Sequence, residues 1–89
     1  MNTNKSDIEK YIFELLKEEY DIDVALDRET NIQDAGMDSL DIVSFLFNIE
    51  KKYNIRIPEE ELSKPETFLI KNIVSYIISH LGEKWILHN

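Results

Sequence analysis

The stretch best equipped for chemistry in this sequence is Asp34-Ala35-Gly36-Met37-Asp38-Ser39-Leu40-Asp41. It sets a primary hydroxyl, Ser39, between two carboxylates and shortly after a glycine. Glycine admits a positive φ or a close backbone approach, so Gly36 suits a tight turn just before a helix. Asp38 brings a carboxylate to the positive end of that helix. Open backbone N–H groups at the same end favour a phosphate ester on Ser39. Leu40 begins an apolar stripe beside the hydroxyl. The chemistry implied is attachment of an anionic prosthetic group rather than catalysis. A serine at a helix start is also an ordinary N-cap, and on these residues alone that reading stays open.

Other chemistries lack their parts. A serine hydrolase needs a histidine base and an orienting acid, and neither His80 nor His88 stands in such a context. The Gly-x-Ser-x-Gly elbow is missing. The two histidines have no partner at metal-ligand spacing. Asp21-Ile22-Asp23 lacks the glycine and closing glutamate of a calcium loop. With no cysteine in the chain, disulfides, thiolate metal sites and cysteine nucleophiles are excluded, which fits a reducing compartment. Asn4-Lys5-Ser6 matches a glycosylation sequon but means nothing without secretion.

The chain has 89 residues, 43% of them hydrophobic, enough for one small core and no more. Its net charge of −8 argues against nucleic acid and against an anionic membrane surface. No apolar run approaches a membrane span, and Met1-Asn2-Thr3-Asn4-Lys5 lacks the apolar core of a signal peptide. A soluble, monomeric, cytoplasmic domain is the expectation.

Four helical elements must position Ser39. Ser6-Asp7-Ile8-Glu9 reads as a capping box. Ile8, Tyr11, Ile12, Leu15 and Leu16 follow at helical spacing to about Glu19. From Tyr20 to Asp38 an acidic loop is expected, pinned to the core by Ile22, Val24, Leu26 and Ile32. A second helix should run from Ser39 to Tyr53, an extended crossing from Asn54 to Pro58, and a short turn over Glu59–Leu62. Thr67 then caps a last helix carrying Phe68, Leu69, Ile73, Tyr76, Ile77 and Leu81, and Gly82 stops it. Residues 83–89, with Trp85, are ambiguous between packing and fraying. No stretch reads as a paired strand. The fold class is therefore all-α: a small up-and-down four-helix bundle of three main helices and one short one, with a long loop between the first two. The domain limits are a flexible N-terminus over 1–5, the folded domain over 6–81 and a tail over 82–89.

The second helix carries two apolar faces. Ile42, Phe45, Leu46, Ile49 and Tyr53 lie within about 60° of one direction, the core stripe. Leu40, Val43 and Phe47 gather roughly 130° away, and in so small a domain that second stripe suits a partner. Residues 14–38 carry a net charge of −7, whereas residues 39–53 sum to zero.

At this point the sequence resembles the acyl carrier proteins, one of the phosphopantetheine-attachment families. Gly36-Met37-Asp38-Ser39-Leu40 is similar to the family's Gly-x-Asp-Ser-Leu signature. Ile55-Arg56-Ile57-Pro58-Glu59-Glu60-Glu61 is similar to its Ile-x-Ile-Pro followed by acids, and the likeness continues through Thr67 and Ile73 to Tyr76-Ile77. It covers about residues 6–81. The resemblance implies that a phosphopantetheinyl transferase esterifies Ser39 with 4′-phosphopantetheine from coenzyme A. Gly36, Asp38 and Leu40 would then flank the cofactor. The arm's thiol would carry an acyl group as a thioester, with no catalysis by the carrier itself. The alternatives are an aminoacyl or peptidyl carrier, and an unmodified helical interaction module.

The resemblance further implies that the second helix and the loop before it dock acyl- or aminoacyl-loading and condensing enzymes, through Met37, Leu40, Asp41, Val43, Ser44, Phe47 and Glu50. An acyl chain folding back into the bundle would be lined by Ile42, Leu46, Ile49, Leu62, Phe68 and Ile73. Where fatty-acid carriers show acids along the second helix, this chain has Ser44, Asn48, Lys51 and Lys52. Those departures point to a specialised carrier serving one dedicated pathway.

Overall fold

Asn4, not Ser6, starts the first helix, α1 (Lys5–Glu18). Its side-chain oxygen accepts from the Asp7 amide at 2.9 Å. Asparagine caps at least as well as serine, so the helix begins two residues early and Ser6 falls inside its first turn. Glu9 is thereby released from a capping box. The computed structural model describes residues 4–88, with side chains through Leu81. In it the Glu9 carboxylate, in a residue 9% exposed, takes a hydrogen bond from Arg28 Nε at 2.6 Å.

Ile8, Ile12 and Leu16 are fully buried along α1. Asp21 adopts a left-handed φ of 53°, and the Ile22 amide bonds the Leu16 carbonyl at 3.1 Å, which turns the chain out of the helix.

The loop that follows, residues 19–38, is long but anchored. Ile22, Ile32 and Met37 are buried, and Leu26 and Ala35 pack against them. Val24, expected as an anchor, is 49% exposed. It sits between Asp23 and Ala25, both exposed, on a segment the core does not reach. Backbone bonds do the remaining anchoring: Ile32 N–H to Phe68 O at 3.0 Å, Ile70 N–H to Thr30 O at 2.9 Å and Lys71 N–H to Arg28 O at 2.9 Å. They frame an isolated antiparallel bridge between Asn31 and Leu69. Lys71 also pairs with Glu29 at 2.8 Å.

That bridge explains why the last helix starts later than expected. Leu69 must be extended, with ψ 133°, to face Asn31. Pro65–Phe68 therefore forms a separate 3₁₀ turn, and α4 is Ile70–His88. Thr67 does not cap it; its hydroxyl donates to the Glu61 carbonyl at 2.6 Å. Nor does Gly82 end the helix, since one glycine costs a helix only about 1 kcal/mol. The side chain of Trp85 lies outside those described.

The other elements fall where expected: α2 (Ser39–Tyr53), an extended crossing, and α3 (Glu59–Leu62). Asn54, with φ 53°, closes α2 in left-handed geometry. Phe45 and Ile49 of α2 are fully buried, as are Ile70, Val74 and Ile77 of α4, and with α1 they form one core. The result is a small all-α bundle, as the periodicity implies.

Tyr53 meets Tyr11 edge-on, with ring centroids 5.7 Å apart. Burial chiefly, then the neighbouring Tyr11 and Asp7, pushes the Tyr53 phenol up to about 12 from an ordinary 10.0. The folded chain thus holds a proton that the unfolded chain gives up first. The contribution to stability is whole below pH 10.0 and is lost as pH rises toward about 12. Urea unfolding across this alkaline range should show a shallower fall in stability for Tyr53→Phe than for wild type. Equal slopes would mean that Tyr53 titrates alike in both states.

Candidate functional site

Gly36 has φ 103°, in the region that disfavours side chains. A Cβ built there would meet nothing within 4 Å. The glycine therefore serves the turn and not a close approach. Before it, the Asn31 side chain accepts from the Gln33 amide at 2.8 Å and its carbonyl from Asp34 at 3.0 Å, which starts the turn. After it, Met37 is only 6% exposed and belongs to the core. That corrects the expectation of Met37 as a docking residue: its side chain anchors the turn beneath α2.

Asp38 is extended, with φ −84° and ψ 179°, and is the N-cap of α2. Its Oδ1 accepts from the Asp41 amide at 2.8 Å, and its carbonyl accepts from Ile42 N–H at 3.0 Å. Ser39 is consequently the first helical residue, and the reading of Ser39 as the cap is wrong. A capping side chain must come from the residue with non-helical backbone, and that residue is Asp38. The Ser39 hydroxyl is exposed and has no hydrogen-bond partner among the described residues. Among the described residues no side chain is hydrogen-bonded to it, so none is placed to take its proton.

Leu40, Val43 and Phe47 are 81%, 65% and 56% exposed. Phe45, Leu46 and Ile49 are buried, with Ile42 and Tyr53 half-buried against them. The two faces counted on the helical wheel are both present. Asp41 is half-buried at the start of the exposed stripe. Ser44 is exposed but engaged, its hydroxyl 2.7 Å from Tyr20 Oη, which also accepts from Asn48 Nδ2 at 3.0 Å. Glu50 does not simply flank the stripe: its carboxylate accepts from the Ile57 amide at 2.8 Å and holds the crossing after α2.

Sequence reasoning missed three contacts here. The Lys51 ammonium lies 5.1 Å from the Phe47 ring centroid, a pairing that i,i+4 spacing could have suggested. Tyr20 reaching Ser44 and Asn48 spans 24 and 28 residues, with no local signal to reveal it.

Of the expected acyl lining, Leu46, Ile49, Phe68 and Ile73 are buried in the core, and Ile42 and Leu62 pack against it. An acyl chain entering there would have to displace close-packed side chains. His80 stacks on Tyr76 at 4.0 Å, its Nδ1 3.0 Å from the Tyr76 carbonyl. Among the described residues no three metal-ligating groups come together.

The family described as "Phosphopantetheine attachment site" matches residues 10–67. An acyl carrier protein of Helicobacter hepaticus is 44% identical over 46 residues, 52% of this chain and 58% of that protein. One from Lactobacillus acidophilus is 31% identical over 89% of this chain and 99% of its own length. One from Porphyromonas gingivalis is 30% identical over 85% and 97%. The chain thus spans 58% of the Helicobacter relative's length but nearly all of the latter two. No solved structure matches significantly.

The division of labour between Asp38 and Ser39 is measurable. Asp38→Ala, which removes the cap, should lower unfolding free energy by about 1 kcal/mol. Ser39→Ala should change it by less than about 0.5 kcal/mol, as expected of an exposed first-turn side chain. Urea titrations of the two variants check this. Equal losses would mean that the serine shares the capping bond.

Proposed function

Because the chain belongs to the phosphopantetheine attachment site family, we propose that it is an acyl carrier modified on Ser39 and that it catalyses nothing itself. The observation supporting this most directly is the unpartnered, exposed Ser39 hydroxyl at the start of α2, next to an exposed apolar stripe. The residues present fit 4′-phosphopantetheine, the family's prosthetic group. Asp38 takes the Asp41 amide, and the remaining amides of α2's first turn favour a phosphate diester at that position; the turn at Gly36 and the extended Asp38 leave the hydroxyl uncovered. When bound, the group supplies a terminal thiol that holds an acyl chain as a thioester.

Attachment requires Ser39 Oγ to displace adenosine 3′,5′-bisphosphate from coenzyme A. One P–O bond forms as the pyrophosphate bond breaks, and the hydroxyl proton passes to a base of the transferase. Asp38 keeps its carboxylate on the Asp41 amide and so is occupied as a cap. Its part is to fix where α2 begins, and with that where Ser39 points. Leu40, Val43 and Phe47 offer loading and condensing enzymes an apolar surface whose burial supplies affinity. Residues 6–81 are the carrier domain in this reading, working as a monomer in the cytoplasm.

Two measurements test the proposal. Wild type and Ser39→Ala are incubated with coenzyme A and a broad-specificity phosphopantetheinyl transferase, and intact masses are compared. A gain of one phosphopantetheine on wild type alone is expected; a gain on the alanine variant, or none on wild type with several competent transferases, contradicts it. Val43→Asp should weaken transferase or partner binding by tenfold or more, about 1.4 kcal/mol, with an unchanged far-UV circular dichroism spectrum. Unfolding of that variant would place Val43 in the core.

A further inference from the structure

The exposed stripe of α2 ends in an uncompensated cation. Lys51 follows Phe47 by one helical turn, and its ammonium lies 5.1 Å from that ring's centroid. The contact puts its charge on the same face as Leu40 and Val43, which are 81% and 65% exposed. Among the described residues no carboxylate pairs with Lys51 within 4.0 Å. Glu50 beside it is committed to the Ile57 amide. Lys52 is turned the other way, over the Tyr11 ring of α1.

A lysine in the last turn of a helix complements the dipole. Lys52 satisfies that need without lying on the stripe, so the dipole does not account for Lys51 seated over Phe47. At the other end of the stripe stand Asp38 and Asp41. The poles are about 18 Å apart along the helix axis, beyond a Debye length of about 8 Å at physiological salt. Each pole must therefore be read by its own group on a partner.

Resting on the carrier reading above, we propose that the enzyme docking on α2 presents a bipolar surface. A cationic group faces Asp38 and Asp41, an apolar pocket takes the stripe, and a carboxylate faces Lys51. The arrangement selects against surfaces that are basic throughout, because Lys51 repels them.

The test uses the full-length protein, loaded with phosphopantetheine, and the acyl-loading enzyme of its own host. Wild type, Lys51→Glu, Lys51→Gln and Lys51→Arg are first compared by intact mass to confirm equal modification, and by circular dichroism. Lys51→Glu should raise the KM for the carrier about fivefold, with kcat unchanged. Lys51→Gln should raise it less, Lys51→Arg should match wild type, and the differences should fade at high salt. A KM unchanged by Lys51→Glu overturns the proposal. A lowered KM overturns it too, and assigns a uniformly basic partner. If Lys51→Glu fails to fold, Lys51→Gln decides by the same criterion. Failure of wild type to accept phosphopantetheine would instead overturn the carrier reading, and this inference with it.

Discussion

One hydrogen bond sets the geometry of the site: the Asp38 carboxylate accepting from the Asp41 amide at 2.8 Å. By taking the cap it fixes Ser39 as the first residue of α2 and leaves the serine hydroxyl without an internal partner. The rotational phase of the helix is held by burial: Phe45, Leu46 and Ile49 turn into the core while Leu40, Val43 and Phe47 turn out. A register slip of one residue would rotate each side chain by about 100° and lose both faces.

That bond holds only because the chain before it is held. Met37 is buried directly upstream, and the turn at Gly36 delivers Asp38 in extended form. Further back, Ile32 is fully buried and its amide is tied to Phe68. The Glu9–Arg28 pair secures the same loop to α1. An acidic loop of this length would ordinarily be mobile; here Asp27 and Glu29 are put to local use. Asp27 accepts from the Glu29 amide at 2.8 Å, and Thr30 Oγ1 accepts from the Asp27 amide at 3.0 Å. The loop is thereby tied to α1, to the segment before α4 and to itself on its way to Ser39.

Much of this could be read from the amino acids. The two faces of α2 follow from residue spacing alone, and the bounds Ser39–Tyr53 match because Asp38 and Asn54 are strong local signals. Gly36 was likewise readable as a turn glycine. What could not be read depended on the exact local backbone or on tertiary contacts. Capping is a competition between neighbours, and both Asn4 over Ser6 and Asp38 over Ser39 were decided by which backbone is extended. The late start of α4 depends on Leu69 pairing with Asn31, 38 positions earlier in the numbering. Met37, on the loop, gave no periodicity to tell core from surface. Glu50 looked like a surface acid until the extended crossing brought the Ile57 amide to it.

The central claim is that Ser39, and no other hydroxyl, is presented for attachment. Ser44 is the informative competitor, since it is exposed on the same helix but bonded to Tyr20 at 2.7 Å. Wild type treated with coenzyme A and a phosphopantetheinyl transferase should be digested and the modified peptide sequenced by tandem mass spectrometry. The account predicts phosphopantetheine on Ser39 alone. Modification at Ser44, or spread over several serines, would contradict it.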